Sequence, residues 1–176
     1  MDRMPLSLGT ATLMAISIAN ASAKDKQSEA FLKKAIEGNF AEVSMGELAQ
    51  QNGQSDAVKS FGRMLSTDHA AANQKALNAA QGLGMNLPSG PNAKQKADHD
   101  KMATMSGESF DKMFASHMVA DHQKDIAEYK KASKSKDAAG EYAIRPDRHI
   151  AKASGHGKIV EGRPVINAGP EVSNRL

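Results

Sequence analysis

The sequence predicts an all-α fold, and three observations indicate it. Aromatic residues make up 4% of the 176 residues and Trp is absent, whereas Ala, Leu, Met and Lys, which favour helices over strands, are common. Apolar residues recur at helical spacing in three long stretches. Glycine, or clusters of glycine and proline, separates these stretches at the points where a chain turns.

The first predicted helix covers residues 28–52. Ser28 is a candidate N-cap, and Gly53 follows the last helical residue. The apolar stripe of this helix consists of residues spaced three or four apart: Leu32, Ile36, Phe40 and Val43. Glu42 lies off the centre of this stripe, so helical spacing alone predicts that it is a surface residue.

The second predicted helix covers residues 55–82 and carries a histidine on its apolar face. His69 lies on the helical row that runs from Val58 to Ala76, directly after Asp68. A loop rich in glycine and proline follows, and a shorter helix is predicted over residues 93–105.

The third long helix is predicted over residues 108–133 and repeats the same feature. His122 shares an apolar row with Met118 and Tyr129, and Asp121 precedes it. If both histidines point into one interior, two helices offer imidazole and carboxylate to the same point. Helix bundles build metal sites in this way.

The pattern changes after residue 143. Residues 137–143 are typical of the start of a fourth helix, which Pro146 interrupts because proline lacks a backbone donor and clashes with the preceding turn. Residues 144–176 contain six Lys or Arg and three Asp or Glu without a sustained apolar period, and we predict a disordered basic tail. The net positive charge of the chain therefore comes from the tail. No feature of the sequence indicates nucleic-acid binding.

The N-terminus has the organisation of a secretory signal peptide over residues 1–23. Arg3 precedes an apolar run over residues 6–19, and Ala21 and Ala23 form a small-x-small cleavage site. The run is shorter than the roughly 20 residues that span a membrane, so we expect no stable transmembrane anchor after cleavage. The sequence thus predicts one exported, periplasmic domain over residues 24–143.

Four short segments together carry a resemblance to a known family. They are 31–35 (Phe-Leu-Lys-Lys-Ala), 41–43 (Ala-Glu-Val), the Asp68-His69 pair and 118–122 (Met-Val-Ala-Asp-His). Over residues 28–143 the chain resembles an exported, ferritin-like bacterial family of unknown function whose members are often labelled outer-membrane proteins. The resemblance implies a ferritin-like up-down four-helix bundle in the periplasm or at the outer membrane, with no established reaction. Family members usually continue into a full fourth helix, so this helix is truncated or divergent after about residue 143, through a frameshift or divergence.

Spacing and resemblance together define the candidate metal ligands. His69 and His122 are the expected ligands, and the carboxylates of Glu42, Asp68 and Asp121 are ligands or orient them. Imidazole with carboxylate suits iron, zinc, manganese or copper, and the set does not choose between these divalent metals. A ferritin-type di-iron centre also needs a Glu-x-x-His motif from two helices. The sequence has none, which favours a single-metal or degenerate site.

Two alternatives remain open at this stage. In the first, the histidines bind no metal and are hydrogen-bonded within the core of a structural or interaction protein. In the second, a periplasmic copper-handling protein uses Met113 with His117 and Met118 with His122, because thioether and imidazole suit Cu(I). Methionine also fills core gaps where aromatic residues are scarce.

The sequence lacks the residues and motifs of several other classes of functional site. The chain has no Cys, which excludes disulfides, thiolate metal sites and Cys nucleophiles. Motifs for serine hydrolases, phosphate loops and dinucleotide binding are absent. We therefore predict a non-enzymatic role in metal binding or envelope stress protection. This interpretation allows a homo-oligomer and identifies no protein partner.

Overall fold

The computed structural model describes the backbone of residues 11–144 and the side chains of residues 26–144. The start of the predicted signal peptide and the predicted tail from residue 145 lie outside this part. The described chain contains five helices and no strand: α1 (Ala11–Asn52), α2 (Asp56–Gln81), α3 (Ala93–Ala103), α4 (Gly107–Ala132) and α5 (Ala138–Ile144). The all-α prediction is confirmed. In the same part of the chain, no helix combines the length and the apolar character needed to cross a membrane.

The ends of α2 follow the predicted capping signals, whereas the start of α1 is an exception. The Ser55 hydroxyl accepts a hydrogen bond from the backbone N–H of Val58 at 3.3 Å, and Gly82 follows the last residue of α2. The exception is Ser28, which does not begin α1. Residues 11–27 contain no glycine or proline, so the helix continues through them. Ser28 instead lies buried and donates a hydrogen bond to Asp137 at 2.7 Å.

α2 and α4 run in the same direction, since the residues that meet between them have rising numbers in both helices: Phe61 with Phe114, and His69 with His122. The predicted up-down alternation is therefore wrong for these two helices. The connection over residues 82–106 is long enough to carry the chain back across the molecule, and it contains α3.

α1 and α2 are antiparallel and come close together where Gly46 faces Gly62. A Cβ atom added to either glycine would lie 2.6 Å from the carbonyl oxygen of the other. Only glycine permits this separation, because any larger residue would overlap the facing backbone. The close crossing fixes the distance between the two helices on which Glu42 and His69 lie.

The core consists of two apolar clusters with a polar layer between them. The first cluster lies near α5 and contains Phe31, Leu32, Ala35, Ile36, Ala76, Ala80, Tyr129, Ala139 and Ala143. The second lies near the α1–α2 turn and contains Met45, Leu48, Ala49, Leu65, Met102, Phe110, Phe114 and Met118. The polar layer contains the buried side chains of Asn39, Glu42, His69, Asn73 and His122. Apolar side chains thus separate this layer from both ends of the molecule.

The last described helix, α5, completes one side of this arrangement. α5 packs against α1, α2 and α4, and its Ala139 and Ala143 are buried. The side chain of Asp137 accepts a hydrogen bond from the backbone N–H of Gly140 at 3.1 Å, which caps the start of the helix. The predicted start of a fourth helix is therefore present as α5.

Candidate metal centre

Three long helices each contribute one side chain to the centre of the polar layer. Glu42 comes from α1, His69 from α2 and His122 from α4, and each offers one ligand atom. These three atoms all lie within 4.8 Å of one another, and each residue is only 5% exposed. Two imidazoles and one carboxylate in this arrangement could hold a metal ion.

Glu42 is buried, so the surface position predicted from helical spacing is wrong. The predicted stripe of α1 continues only partly into the core, since Phe40 and Val43 are half-buried. The neighbouring row, which includes Met45 and Ala49, is buried instead. α1 packs against α2, α4 and α5, so its buried face is broader than a stripe facing one partner.

Hydrogen bonding orients the ring of His69. Its Nδ1 atom lies 3.0 Å from the side-chain oxygen of Asn39, in the preceding helix. An amide oxygen can only accept a hydrogen bond, so Nδ1 carries the proton. In the neutral ring this leaves the lone pair on Nε2, as metal coordination requires.

His122 is oriented by its own helix. Its Nδ1 atom lies 2.8 Å from the backbone carbonyl of Met118, one turn earlier, and therefore donates to it. Its Nε2 atom is buried with no hydrogen-bond partner among the described residues. The His122 and His69 rings lie 6.0 Å apart between centroids, with their planes at 88°. Both rings thus have the same tautomer, in which Nε2 carries the lone pair.

Burial sets the charge of the group. It raises the pKa of Glu42 well above its usual value, and the negative charges of Asp125 and Asp121 raise it further. Burial also lowers the pKa of His122, which keeps that imidazole neutral. Like His122 Nε2, the Glu42 Oε2 atom is buried without a hydrogen-bond partner within the described part of the chain. Burial therefore favours the neutral forms of both side chains, each of which has an unsatisfied polar atom.

The two aspartates of the Asp-His pairs lie outside this group. Asp68 is half-buried beside His69 in sequence, and its carboxylate is not among the clustered ligand atoms. Asp121 binds His117 at 3.0 Å and Lys124 at 3.1 Å on the outer side of α4. The His117 hydrogen bond and then Lys124 lower the pKa of Asp121 to about 2, although partial burial opposes them. Asp121 therefore influences the group through its charge.

The two methionines of the methionine–histidine pairs lie in different surroundings on α4. Met113 is 40% exposed, whereas Met118 is buried within the cluster of Phe110 and Phe114. The contact between Met118 and His122 involves the backbone carbonyl. The copper-handling alternative with Met113–His117 and Met118–His122 stays a prediction.

Sequence reasoning missed two residues around the group, Asn39 and Asp125. Asn39 lies three residues before Glu42 and therefore on the same face of α1. A second polar residue on this face could have indicated the site from the sequence. Asp125 borders a small cavity of about 50 Å³ together with Asn39, His69 and Tyr129. Burial, followed by the charge of Asp121, raises the pKa of Asp125 to about 6.

Asp125→Asn is expected to stabilise the metal-free protein at neutral pH and to have little effect at pH 4. The folded-state pKa of about 6 exceeds the usual 3.8, so the native protein loses stability as the pH rises from 3.8 through 6. Asparagine cannot ionise, so the variant avoids a loss of about 1–3 kcal/mol in the free energy of unfolding. Urea unfolding with a chelator at pH 4 and pH 8 measures the difference. An equal effect at both pH values would contradict the assignment.

The comparisons with known proteins identify a family without a known role. Residues 13–140 match the family described as a domain of unknown function, DUF4142. No curated protein and no solved structure matches the chain. The ferritin-like and outer-membrane parts of the expected resemblance stay predictions. Since the match covers most of the chain, this helical protein with its buried Glu-His-His group belongs to the DUF4142 family.

Proposed function

We propose that this protein binds one divalent transition metal ion through a carboxylate oxygen of Glu42 and the Nε2 atoms of His69 and His122. The observation that carries the proposal is the pair of unsatisfied buried atoms, Glu42 Oε2 and His122 Nε2, which belong to two of the three residues whose ligand atoms cluster. A buried polar atom without a partner costs free energy. A bound metal ion would satisfy both atoms at once.

The surroundings support this role. Nδ1 of each histidine is already hydrogen-bonded, to Asn39 and to the Met118 carbonyl. Metal-binding histidines usually donate their other ring N–H in this way, which fixes the tautomer. The apolar clusters on both sides bury the layer, and the low polarity of such surroundings would strengthen the interaction between the ion and Glu42.

The donor set favours one ion over two. The cluster holds a single carboxylate among the described residues, and the sequence has no Glu-x-x-His motif. Di-iron bundles use four carboxylates and two such motifs. Three protein ligands leave a further coordination position for water or another small ligand. Zinc, iron, manganese and copper are all compatible with the set.

The proposal includes a ferritin-like architecture in the cell envelope. The long crossover between the parallel helices α2 and α4 supports it, since ferritin-like bundles contain one such connection. α5 then stands in place of a full fourth helix. The signal-peptide pattern over residues 1–23 supports export. The role proposed is metal binding or protection against metal stress in the envelope, without catalysis.

The metal content of the purified protein tests the proposal. We expect about one ion per chain by mass spectrometry of untagged protein purified from the periplasm, and its loss in the His69→Ala/His122→Ala double variant. His99→Ala is the control, because His99 lies on α3 beside Asp100 and away from the group. Added metal should also raise the melting temperature of the wild type and of the control.

One result would overturn the proposal in favour of a structural role for the histidines. It is a metal-free wild-type protein whose melting temperature does not respond to zinc, iron, manganese or copper. Folding of the double variant is checked separately by circular dichroism. A single Glu42→Gln variant, which keeps the side-chain volume, should lose the metal as well.

A further inference from the structure

A chain of hydrogen bonds leads from the candidate metal ligand His69 to the last helix. The side-chain oxygen of Asn39 accepts from His69 Nδ1 at 3.0 Å. The amide nitrogen of Asn39 donates to the Tyr142 hydroxyl at 3.2 Å. That hydroxyl lies 3.0 Å from the hydroxyl of Tyr129. Tyr142 of α5 is thus two hydrogen bonds away from a candidate metal ligand.

The Tyr142 hydroxyl anchors the Asn39 amide in the orientation observed beside His69. Because the hydroxyl oxygen accepts from the amide nitrogen, the amide oxygen points to the imidazole. If the amide were reversed, its NH₂ group would face Nδ1, and Nδ1 could then only accept. The proton would move to Nε2, where it would block metal coordination.

The position of Tyr142 depends on the docking of a short helix. α5 has seven residues, too few for a stable helix in isolation. Its position is instead determined by the buried Ala139 and Ala143 and by ring contacts of Tyr142 with Phe31 and Tyr129. Its C-terminal residue, Ile144, is 64% exposed. A helix held in this way undocks more readily than the long helices.

We propose that α5 is a latch on the metal centre, in which Tyr142 acts through Asn39 as a positioning residue for His69. The inference depends on the proposed function, since it concerns the same site. Docking of α5 holds the Asn39 side chain, whose oxygen accepts from His69 Nδ1 in the tautomer that can bind metal. By thermodynamic reciprocity, a bound metal stabilises the docked α5 by the same free energy.

The Tyr142→Phe variant separates the hydroxyl from the packing of the ring. Phenylalanine retains the ring contacts of Tyr142, so the variant should fold as the wild type does. We expect Zn(II) and Co(II) to bind about 3–10-fold more weakly, the equivalent of one lost hydrogen bond. Asn39→Leu, which removes the direct partner of His69, should weaken binding about 10–100-fold. In the metal-free Tyr142→Phe protein, the imidazole ¹⁵N shifts of His69 should show more of the Nε2–H tautomer.

Hydrogen exchange tests the reciprocal effect in the wild-type protein. Zn(II) should slow amide exchange in α5 by a factor similar to the affinity lost in Tyr142→Phe. The amides of α3, which carries none of the three ligands, serve as the internal control.

The outcomes distinguish the two proposals. Metal binding that is equally tight in the wild type and in Tyr142→Phe, with unchanged exchange in α5, would overturn the latch and leave the metal site intact. A wild-type protein that binds neither Zn(II) nor Co(II) would overturn both. Weaker binding in Tyr142→Phe together with protected α5 amides would establish the latch.

Discussion

Metal affinity is expected to rise about tenfold for each pH unit as the pH increases through the slightly acidic range, for each proton released on binding. Burial and the nearby aspartates raise the pKa of Glu42, which favours the protonated form of this carboxyl in the metal-free protein. A metal ion binds the carboxylate and displaces the proton. His122 contributes little near neutral pH, because burial lowers its pKa and keeps it neutral there.

The stability of the metal-free protein should change in the opposite direction. The folded-state pKa of Glu42 lies above its usual value of 4.5. The contribution of Glu42 to stability is therefore fully present below pH 4.5 and is lost as the pH rises through the raised pKa. The increase in melting temperature on adding metal should consequently grow with pH. A chelator-competition titration with Zn(II) between pH 5.5 and pH 8, beside melting curves, measures both trends.

The Glu42→Gln variant identifies the group responsible. Its metal affinity should fall more than about 100-fold, which exceeds the 10–100-fold loss expected when only a supporting hydrogen-bond partner is removed. The affinity that remains should vary little between pH 5.5 and pH 8. Glu47→Gln is the matched control, since Glu47 lies on the same helix and is exposed. Wild-type affinity that does not change with pH would contradict a protonated Glu42 in the metal-free site.

The sequence predicted the features that depend on local chemistry. The ends of α2 follow from Ser55 and Gly82, which act on the neighbouring backbone. The inward positions of His69 and His122 follow from helical spacing within long amphipathic segments, because a period of 3.6 residues decides which side chains share a face. Both histidines are buried as predicted.

The features that depend on contacts between distant segments were not predictable in this way. Helical spacing placed Glu42 at the surface because it assumes one packing partner for α1. In the structure, α1 packs against α2, α4 and α5. The orientation of Asn39 depends on Tyr142, 103 residues away in sequence. The parallel course of α2 and α4 depends on where the connection between them leads, which its glycine and proline content does not determine.

Gly62→Ala is expected to destabilise the protein by about 2–3 kcal/mol, as overpacking of a tight contact does. The new Cβ atom would lie 2.6 Å from the carbonyl oxygen of Gly46 and 2.9 Å from the Cβ atom of Ala49. Neither the backbone oxygen nor the short alanine side chain can move aside without shifting α1. Gly46→Ala should have a similar effect, since its Cβ would meet backbone atoms of Gly62 and Ser66 at 2.6 and 2.8 Å.

Gly38→Ala is the matched control on α1. No atom lies within 4 Å of a Cβ added there, so the substitution should stabilise the protein by about 0.5–1 kcal/mol through the better helix propensity of alanine. Urea unfolding of the three variants at one pH compares these effects. A Gly62→Ala protein as stable as the wild type would show that α1 and α2 can separate without cost.

The same substitution should weaken metal binding even where the variant remains fully folded. Glu42 lies one helical turn from Gly46, and His69 lies two turns from Gly62, so a wider crossing moves the two ligands apart. It also stretches the 3.0 Å hydrogen bond between Asn39 and His69. Zn(II) affinity measured without denaturant should therefore fall in Gly62→Ala and stay unchanged in Gly38→Ala. Equal affinities in a destabilised Gly62→Ala protein would mean that the ligands adapt to the altered crossing and that the glycine contact serves stability alone.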